Sequence, residues 1–475
     1  MEEKILILGA GPAGLACAME LSKANLKSTI IEKEDSVGGL AKTLTFKEGK
    51  QTFRTDIGPH RFFSKNKYLY EFIEDLLGRD WIKVKRQTRQ LIAGKFYDYP
   101  IKATQAFGNV GVKRAAIMGF SYFKGYIIYK VLGKKIENFE DHTIANFGRA
   151  LGEFNMLNYT EKVWGIPCNK IHPDWANQRI KGLNLVSAIL NTVFKKKGPK
   201  TLIDTFYYPK FGTGTIYETI SKRILKKGSK IFTNSTPIKI NHKENRITTI
   251  DVKINGKTQS ISPNKIVSSI PITHFVNMLS PTPPKEVINA LAKMNWRAQI
   301  YLFITLNKEK VTDDNWIYFP EIEIPFGRIA EMKNFSKEMS PKNLTSLFLE
   351  FFVNEGDKMW NLSEQELFEL SIKELEKLNL AKRNEVRRYY MLKRKNVYPV
   401  YDLEYKSNSK IVKDYLDKFE NLYSIGRPGR FKYNNQDHSL EMGILAAKSI
   451  TDNKKYDIEN VGEEQEYFEK GKLKA

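Results

Sequence analysis

Apolar and polar positions at the start of the chain follow a strand, helix, strand pattern. Residues 4–8 read KILIL, a short apolar run typical of a buried strand, and a glycine-rich turn and a helical segment follow it. A second apolar run, STII, occupies residues 28–31 and leads into an acidic residue. The pattern predicts a βαβ unit, from which doubly wound nucleotide-binding folds are built.

The same order of elements returns later in the chain. Residues 207–240 contain a glycine-rich turn at Gly212 and Gly214, then a helical segment, a strand and an alternating β run. A further apolar strand, NKIVSSIP, occupies residues 264–271, and the run NLYSIG begins at residue 421. Each return indicates that the chain comes back to the first nucleotide-binding unit.

These returns predict an α/β fold whose Rossmann-type domain is discontinuous and is interleaved with a mixed α+β substrate domain. Residues 102–203 read mostly as helix, and the later excursion holds strand-rich segments and a helix at 364–378. The predicted bounds are 1–95, 204–272 and 423–455 for the Rossmann-type domain, 96–203 and 273–422 for the substrate domain, and 456–475 for a charged, frayed tail.

The first turn has the spacing of a dinucleotide-binding fingerprint, Gly9-x-Gly11-x-x-Gly14. The first glycine permits the tight turn, the second lets the backbone approach a pyrophosphate, and the third allows close packing of helix on strand. The helix N-terminus offers N–H groups and a positive dipole end to the phosphates. Glu32 follows at about the spacing of an acid that accepts a hydrogen bond from a ribose hydroxyl. A glycine-rich turn without a ligand is the weaker interpretation.

The residues after Glu32 favour FAD over NAD. The pair Gly38 and Gly39 resembles the second phosphate-side turn of FAD-binding flavoproteins that have two dinucleotide-binding domains. The segment DIGPHRFF, which begins at Asp56, stands where such flavoproteins bring a loop to the flavin ring. We therefore expect the discontinuous domain to bind FAD.

Composition and charge narrow the class of partner. Hydrophobic residues make up 41% of the chain and aromatic residues 12%, which is typical of a globular protein. The formal charge of +23 admits nucleic acid, an anionic membrane surface or an acidic small substrate, or simply a lysine-rich surface. Because the lysines are scattered and no nucleic-acid module accompanies them, we expect no nucleic-acid partner.

Cysteine usage and one apolar stretch bear on location. Cys17 and Cys168 have neither disulfide nor metal-ligand spacing, so we expect a cytoplasmic protein without a metal. Residues 115–133 are apolar enough to consider for the membrane, but Lys124 and Lys130 interrupt them. A helix of the folded body is expected, and peripheral membrane contact is the alternative. The oligomeric state is left open.

Five long motifs, taken in order, indicate a family. They are DIGPHRFFSKNKY at 56–68, NYTEKVWGIPCNKIHPDWANQRIKGLNL at 158–185, WIYFPEIEIPFGR at 316–328, YPVYDL at 398–403 and GRPGRFKYNNQDHS at 426–439. This set resembles the flavin-dependent UDP-galactopyranose mutases, and the eukaryotic-type branch most closely, over nearly the whole chain. That family lies within the wider amine oxidase and protoporphyrinogen oxidase-like flavoproteins.

The resemblance implies a non-redox isomerisation of a nucleotide sugar, UDP-linked, between pyranose and furanose rings, as in polysaccharide biosynthesis. It implies that N5 of reduced FAD attacks the anomeric carbon, and that the flavin–sugar adduct opens, recloses and is released. Arg86 and Thr88 align loosely with a pair that contacts nicotinamide, which makes NADPH a candidate reductant.

The resemblance also implies the site residues. Arg179 and Arg328 match diphosphate-binding arginines, and His60 matches a histidine beside flavin N5, so these three are the predicted catalytic residues. The implied cofactor contacts are Gly9, Gly11, Ala13, Gly14, Glu32, Gly38, Gly39, Leu40, His60, Arg427, Asn435, Gln436 and Asp437. The implied substrate contacts are Tyr99, Tyr159, Trp164, Arg179, Tyr318, Arg328, Tyr398 and Tyr433.

Two other classes compete with the mutase. An FAD-dependent oxidoreductase of the amine oxidase or protoporphyrinogen oxidase type shares the glycine pattern, but it would need a mostly apolar pocket rather than paired arginines. A flavoprotein retained as a binding module would tolerate the loss of Arg179 and Arg328. The presence of both arginines favours the mutase. His438 and Ser439 are expected to serve helix entry and packing rather than hydrolysis.

Overall fold

The computed structural model describes residues 4–64, 66–99, 111–179 and 205–462, with residues 177–179 described as backbone only. The strands are β1 (Ile5–Leu8), β2 (Ser28–Ile31), β3 (Thr43–Glu48), β4 (Gln51–Asp56), β5 (Trp81–Lys85), β6 (Thr88–Ile92), β7 (Lys95–Asp98), β8 (Thr205–Pro209), β9 (Lys230–Phe232), β10 (Thr236–Lys243), β11 (Arg246–Ile254), β12 (Lys257–Ile261), β13 (Lys265–Ser268), β14 (Leu279–Ser280), β15 (Trp296–Leu306), β16 (Trp316–Tyr318), β17 (Arg328–Ala330), β18 (Thr345–Val353), β19 (Val386–Pro399) and β20 (Leu422–Ser424). The helices are α1 (Pro12–Lys23), α2 (Lys67–Leu77), α3 (Val112–Tyr126), α4 (Phe139–Phe147), α5 (Arg149–Leu151), α6 (Leu157–Trp164), α7 (Asp174–Arg179), α8 (Gly214–Lys226), α9 (Ile272–Asn277), α10 (Lys285–Ala292), α11 (Glu364–Lys377), α12 (Tyr405–Leu416), α13 (Gly426–Arg430) and α14 (Gln436–Thr451).

A five-stranded parallel sheet has the order β20-β13-β1-β2-β9. Every residue of β1 is buried, as expected for a central parallel strand with helices on both faces. The five strands come from three separate stretches of the chain, the beginning, the middle and the end. The α/β fold class is therefore confirmed, and the bounds of the domains stay a prediction.

Helix α14 packs directly along α1, the helix that follows β1. A Cβ atom on Gly443 would overlap the carbonyl oxygen of Ala13 and would lie 3.0 Å from the Cβ of Ala16. The two helix backbones therefore approach more closely than any residue with a side chain would allow. This contact places the end of the chain beside the glycine-rich turn at its beginning.

The second large sheet has seven strands in the order β19-β15-β18-β17-β16-β6-β7. Strand β15 pairs antiparallel with β18 and with β19, and its apolar side chains help to form the core. Strand β16 pairs in parallel with β6, so the β6–β7 hairpin joins this sheet. The domain bound predicted at residue 95 therefore falls within a hairpin that the sheet keeps together. The pairing of β6 with β16 joins residues far apart in the chain, so local pattern does not show it.

Three smaller sheets complete the described strands: one of four strands, β12-β11-β10-β14, and two pairs, β3-β4 and β5-β8. The β5-β8 pair links residues on either side of the helical excursion.

The first residues of the predicted tail are anchored, which corrects the expectation that the chain frays from residue 456. Val461 is buried, and the carboxylate of Glu459 forms ion pairs with Lys413 and with Arg430. Although burial alone would raise it, these two cations lower the pKa of Glu459 to about 2. Residues 463–475 lie outside the described part.

The helical excursion packs through glycines. A Cβ atom on Gly125 of α3 would lie 2.5 Å from the carbonyl oxygen of Ile144 in α4. One on Gly148 would lie equally close to the backbone nitrogen of Tyr122. The prediction of a mostly helical segment is confirmed for 111–179, and 102–110 and 180–203 fall outside the described residues. Among the described helices, none is long and apolar enough to cross a membrane.

We predict that Gly443→Ala lowers the free energy of unfolding by about 1–3 kcal/mol, because the added methyl group forces α14 away from α1. Gly119→Ala is the matched control, since a Cβ at this helical glycine meets nothing within 4 Å. It should stabilise the protein by about 0.5–1 kcal/mol through helix propensity. Urea unfolding of both variants measures the difference, and equal effects would contradict the close contact.

Candidate functional site

The glycine-rich turn between β1 and α1 leaves room for a ligand. Gly9 has a φ of +97°, a left-handed conformation suited to glycine. A Cβ on Gly11 would meet nothing within 4 Å, whereas one on Gly39 would lie 3.2 Å from the Cα of Gly11. The two predicted phosphate turns therefore meet at the N-terminus of α1, with open space in front of Gly11. This arrangement fits the pyrophosphate of a dinucleotide.

Glu32 holds this turn in place. Its buried carboxylate accepts hydrogen bonds from the backbone N–H of Ala10, at 2.7 Å, and from that of Glu34, at 2.9 Å. Each carboxylate oxygen can accept a further hydrogen bond. The residue thus stands beside the glycine turn, and its contact with a ribose hydroxyl stays a prediction.

The C-terminal segment reaches the same turn. A Cβ on Gly426 would lie 3.0 Å from the Cβ of Ala13, so α13 lies against the start of α1. The guanidinium of Arg427 donates to the carbonyl oxygens of Asn434 and Val397. These bonds give Arg427 a role in holding the segment, and its predicted contact with the cofactor is untested.

The residues that follow begin α14. Asn435 caps the helix, and the side chain of His438 returns the capping interaction, while the hydroxyl of Ser439 donates to the side-chain oxygen of Asn434. The helix-entry role expected for His438 and Ser439 is confirmed. The side-chain oxygen of Gln436 accepts from the hydroxyl of Tyr217 at 2.9 Å.

The loop after β4 is held by a buried carboxylate. Asp56 accepts hydrogen bonds from the hydroxyl of Tyr208, from the hydroxyl of Thr43 and from the backbone N–H of Thr213. Burial raises the pKa of Asp56. The loop that was predicted to face the flavin is therefore fixed by three bonds from three different elements.

His60 stands at the end of this loop. Its Nε2 atom lies 3.0 Å from the carbonyl oxygens of both Leu40 and Ile57. Because a carbonyl oxygen can only accept, the ring carries its hydrogen on Nε2 and donates hydrogen bonds to these two oxygens. Burial lowers the pKa of His60, which keeps the ring neutral. The structure thus brings together His60 and Leu40, two of the predicted cofactor contacts.

Arg328, which is partly buried, forms an ion pair with the buried Glu350. The two residues are direct partners across the antiparallel strands β17 and β18, and the Nε atom of Arg328 donates to the carboxylate. Although burial alone would lower it, Glu350 raises the pKa of Arg328 well above its usual value. Arg328 is therefore cationic at every accessible pH.

The terminal nitrogens of Arg328 are not used by this pair. Within the described residues, its hydrogen bonding is confined to Nε, so both Nη groups remain available to an anion. A Cβ on Gly58 would lie 3.1 Å from a carboxylate oxygen of Glu350 and 4.0 Å from Nη2 of Arg328. The available cation therefore borders the loop that carries His60.

Sequence reasoning missed Glu350. One signal was present, because Glu350 is the only charged residue in the apolar strand TSLFLEFFV. A charged side chain is rarely buried unless it is paired. That rule indicates a partner, but the identity of the partner requires the register between β17 and β18.

A row of aromatic rings connects the predicted substrate residues. Tyr318 lies 5.0 Å from Tyr99 and 5.5 Å from Tyr159 between ring centroids, and the guanidinium of Arg328 lies 6.0 Å from the centroid of the Tyr318 ring. Phe352, which the sequence did not single out, links Tyr159 to the next group at 6.5 Å.

The second group of rings consists of Tyr398, Tyr433 and Trp164. Tyr398 and Tyr433 stack with centroids 5.6 Å apart, and the guanidinium of Arg427 lies 4.9 Å from the first ring and 5.1 Å from the second. The ring of Trp164 lies 6.2 Å from Tyr398 and is 1% exposed, so it serves as the packed base of the group. Its indole N–H has no hydrogen-bond partner in the part of the chain that the structure describes.

Two other predictions, one for Arg179 and one for the pair Arg86 and Thr88, have different outcomes. The side chain of Arg179 lies outside the description, which gives only its backbone at the end of α7. Arg86 donates to the carbonyl oxygen of Tyr99 at 2.5 Å, and the carbonyl oxygen of Thr88 accepts from the N–H of Tyr99. Arg86 and Thr88 thus support Tyr99, and their contact with nicotinamide stays a prediction.

The fold and the glycine turn are those of a dinucleotide-binding protein. Residues 12–394 match the family of flavin containing amine oxidoreductases, and the chain therefore belongs to that family. The family implies FAD, which fits the open space at Gly11 and the N-terminus of α1. In the part of the chain that the structure describes, no group of acidic, histidine or cysteine side chains could hold a metal.

Solved structures share the fold. A reduced UDP-galactopyranose mutase has a TM-score of 0.84 at 22% identity, over 98% of this chain and 97% of its own. A putrescine oxidase bound to putrescine has a TM-score of 0.62 at 14% identity, over 95% of this chain and 99% of its own. A CLA-producing fatty acid isomerase from P. acnes has a TM-score of 0.57 at 15% identity, over 95% and 98%. These identities show the fold alone, and the neighbours include isomerases and an oxidase.

Curated relatives match over shorter stretches. The thioredoxin reductase of Bacillus subtilis (strain 168) is 30% identical over 144 residues, which cover 26% of this chain and 45% of that protein. The L-amino-acid oxidase of Echis ocellatus is 20% identical over 332 residues, which cover 65% and 60%. The chain thus spans less than two thirds of the length of these relatives.

We predict that Gly11→Val lowers the affinity for flavin by at least about tenfold while folding is retained. The Cβ atom of the new side chain would meet no protein atom within 4 Å, so we expect the substitution to obstruct the ligand rather than the fold. The ratio of flavin to protein after purification and titration of the apoprotein with FAD measure the effect. A variant that binds flavin normally would show that the cofactor does not approach this glycine.

The buried carboxyl of Asp437 makes the stability of the fold depend on pH. Burial raises the pKa of its carboxyl to about 7, although backbone N–H groups and Arg61 oppose this. The folded protein therefore binds a proton that the unfolded chain loses near pH 4, so this stabilisation is present at low pH and is lost as the pH rises through 7. The free energy of unfolding of Asp437→Asn should exceed that of the parent by roughly 2–4 kcal/mol near pH 8 and should equal it near pH 4.

Urea unfolding between about pH 4 and 8 tests this. Asp414→Asn, an exposed carboxylate on α12, is the control and should show no such pH-dependent gain. A constant difference between Asp437→Asn and the parent at all pH values would contradict the shift.

Proposed function

We propose that the protein is a nucleotide-sugar mutase similar in activity to UDP-galactopyranose mutase. It would interconvert the six-membered and five-membered rings of a UDP-linked sugar without net oxidation. The substrate class, the use of reduced FAD and the site residues Arg179 and Arg328 are all part of this proposal. Reduction by NADPH and a likeness to the eukaryotic-type branch are expectations that go with it.

The observation that carries the proposal is the state of Arg328. It is partly buried, permanently cationic and, among the described residues, held by Glu350 through Nε alone, with both terminal nitrogens available. Such a guanidinium matches the oxygens of a diphosphate, and partial burial strengthens the attraction. An oxidase acting on an apolar or cationic substrate gains nothing from it.

The other residues position the substrate. The rings of Tyr318 and Tyr398 stand near Arg328 and Arg427, respectively, and a tyrosine hydroxyl can donate to phosphate oxygens. Tyr99, which is 39% exposed, lies at the outer end of the aromatic row, where a nucleoside would bind. Reduced flavin supplies the nucleophile for the isomerisation when it is bound.

His60 has a positioning role in this scheme. The N–H of its neutral ring, at Nε2, donates hydrogen bonds to two backbone carbonyl oxygens, and burial lowers the pKa of the ring. His60 therefore does not act as a general acid at neutral pH. It instead fixes the loop between Asp56 and the cofactor side of the site.

A second candidate is an FAD-dependent oxidase of the amine oxidase type. Family membership and the match to the L-amino-acid oxidase of Echis ocellatus favour it. It differs from the mutase in needing oxidised flavin and an electron acceptor.

The test compares both activities in one preparation. The protein is reduced with dithionite, incubated with UDP-galactopyranose and related nucleotide sugars, and analysed for furanose products. The mutase proposal expects product only with reduced flavin. Turnover only with oxidised flavin and oxygen, on an amine or a tetrapyrrole, would overturn it in favour of the oxidase.

We predict that Arg328→Gln combined with Glu350→Gln weakens binding of UDP-galactopyranose by about 10- to 100-fold. The double change avoids leaving Glu350 buried without its cation, which would destabilise the fold. Flavin content should be unchanged. Arg383→Ala, which breaks an exposed ion pair with Glu369, is the control. Unchanged substrate binding by the double variant would show that Arg328 does not hold the diphosphate.

A further inference from the structure

Helix α3 presents an apolar face to solvent. Val112, Ala116, Phe120, Phe123 and Tyr126 recur at intervals of three or four residues, so they lie on one side of the helix. Phe120 is 73% exposed and Phe123 is 60% exposed. Single exposed apolar residues are ordinary, but a contiguous stripe with two phenylalanines marks a surface that contacts something.

The apolar surface continues past the helix. Val131 is 64% exposed and Leu132 is 74% exposed, and they follow α3 after one further helical turn. Of the fourteen exposed large hydrophobic side chains in the described residues, eight lie between Val112 and Ile136. The exposure is therefore concentrated in one segment rather than spread over the protein. We call the exposed apolar side chains between Val112 and Ile136 the α3 surface.

The opposite side of α3 is firmly held. Gly125 packs against Ile144 of α4, and Tyr129, beyond the helix, donates a hydrogen bond to the buried carboxylate of Asp141. Lys134 pairs with the same carboxylate. The α3 surface is thus the outer side of a packed helix and not an element that has come loose.

The charges of the segment that carries the α3 surface have one sign. Residues 111–136 contain six lysine and arginine residues, of which Lys134 pairs with Asp141, and no aspartate or glutamate. Lys113 and Lys124 are exposed on α3 itself, spaced to lie along one border of the apolar stripe. A protein partner that paired with this segment would have to be acidic, and a second copy of this chain, at +23, would bring like charge to it.

We propose that the α3 surface docks on an anionic lipid membrane. Phenylalanines and aliphatic side chains would enter the boundary between headgroups and acyl chains, and the flanking lysines would contact lipid phosphates. The helix would lie in the plane of the interface, since it is not long and apolar enough to span the bilayer. Contact would be peripheral and reversible, because one short helix buries little apolar area.

The experiment uses the whole flavoprotein and sedimentation with vesicles of about 30% phosphatidylserine in phosphatidylcholine, at about 0.1 M salt. We expect the protein to co-sediment with these vesicles and to bind pure phosphatidylcholine much less. Phe120→Ser with Phe123→Ser should lower the partition coefficient at least tenfold, and Lys113→Gln with Lys124→Gln about fivefold for each lysine.

Leu370→Ser with Leu403→Ser is the matched control, since both leucines are exposed but lie far from α3 in the sequence. This control should bind vesicles as the parent does. Failure of the parent to bind anionic vesicles, or equal loss in the control, overturns the proposal.

Two other occupants give distinct results. If a second copy covers the α3 surface, the parent forms a dimer by analytical ultracentrifugation that Phe120→Ser with Phe123→Ser abolishes. If another segment of this chain covers it, the same variant unfolds at clearly lower urea concentration than the parent. Either result without vesicle binding overturns the membrane proposal.

Discussion

The close contact between α14 and α1 determines where the site can form. Gly443 lies against the backbone of Ala13, and Gly426 lies against the side chain of the same residue. Because two helices approach at this distance only where a side chain is absent, the contact fixes both their separation and their register. It brings Arg427, on the same C-terminal segment as Tyr433, beside the glycine turn, and thereby joins predicted cofactor contacts to predicted substrate contacts.

The Arg328–Glu350 pair shows how the protein keeps a cation in a partly buried site. An unpaired guanidinium there would be costly to desolvate, and a pair through both terminal nitrogens would leave nothing for a ligand. Contact through Nε alone meets both requirements. The positive charge of Arg328 is therefore partly neutralised, and under the proposed function hydrogen-bond geometry would contribute to anion recognition along with net charge.

Positive charges occur in two different settings in the protein, inside the candidate site and on the exposed side of α3. Inside the site the cations Arg328 and Arg427 are held by specific acceptors, a carboxylate for the first and backbone carbonyls for the second. On α3 the lysines stand at the edge of exposed apolar side chains with no acid nearby in the sequence. The formal charge of +23 is therefore not explained by an acidic small substrate alone, because lysines such as Lys113 and Lys124 are exposed on α3.

The sequence by itself determined the βαβ unit, the glycine turn and the returns of the chain to one parallel sheet, and it predicted the residues that would surround a flavin and a diphosphate. These follow from spacing, turn chemistry and motif resemblance, which are local along the chain. Only the tertiary structure decided that Glu350 faces Arg328, that the β6–β7 hairpin joins the seven-stranded sheet, that Glu459 anchors the start of the tail, and which side of α3 is exposed. Strand register, ion pairing and helix exposure depend on contacts between residues far apart in sequence, and no local pattern carries that information.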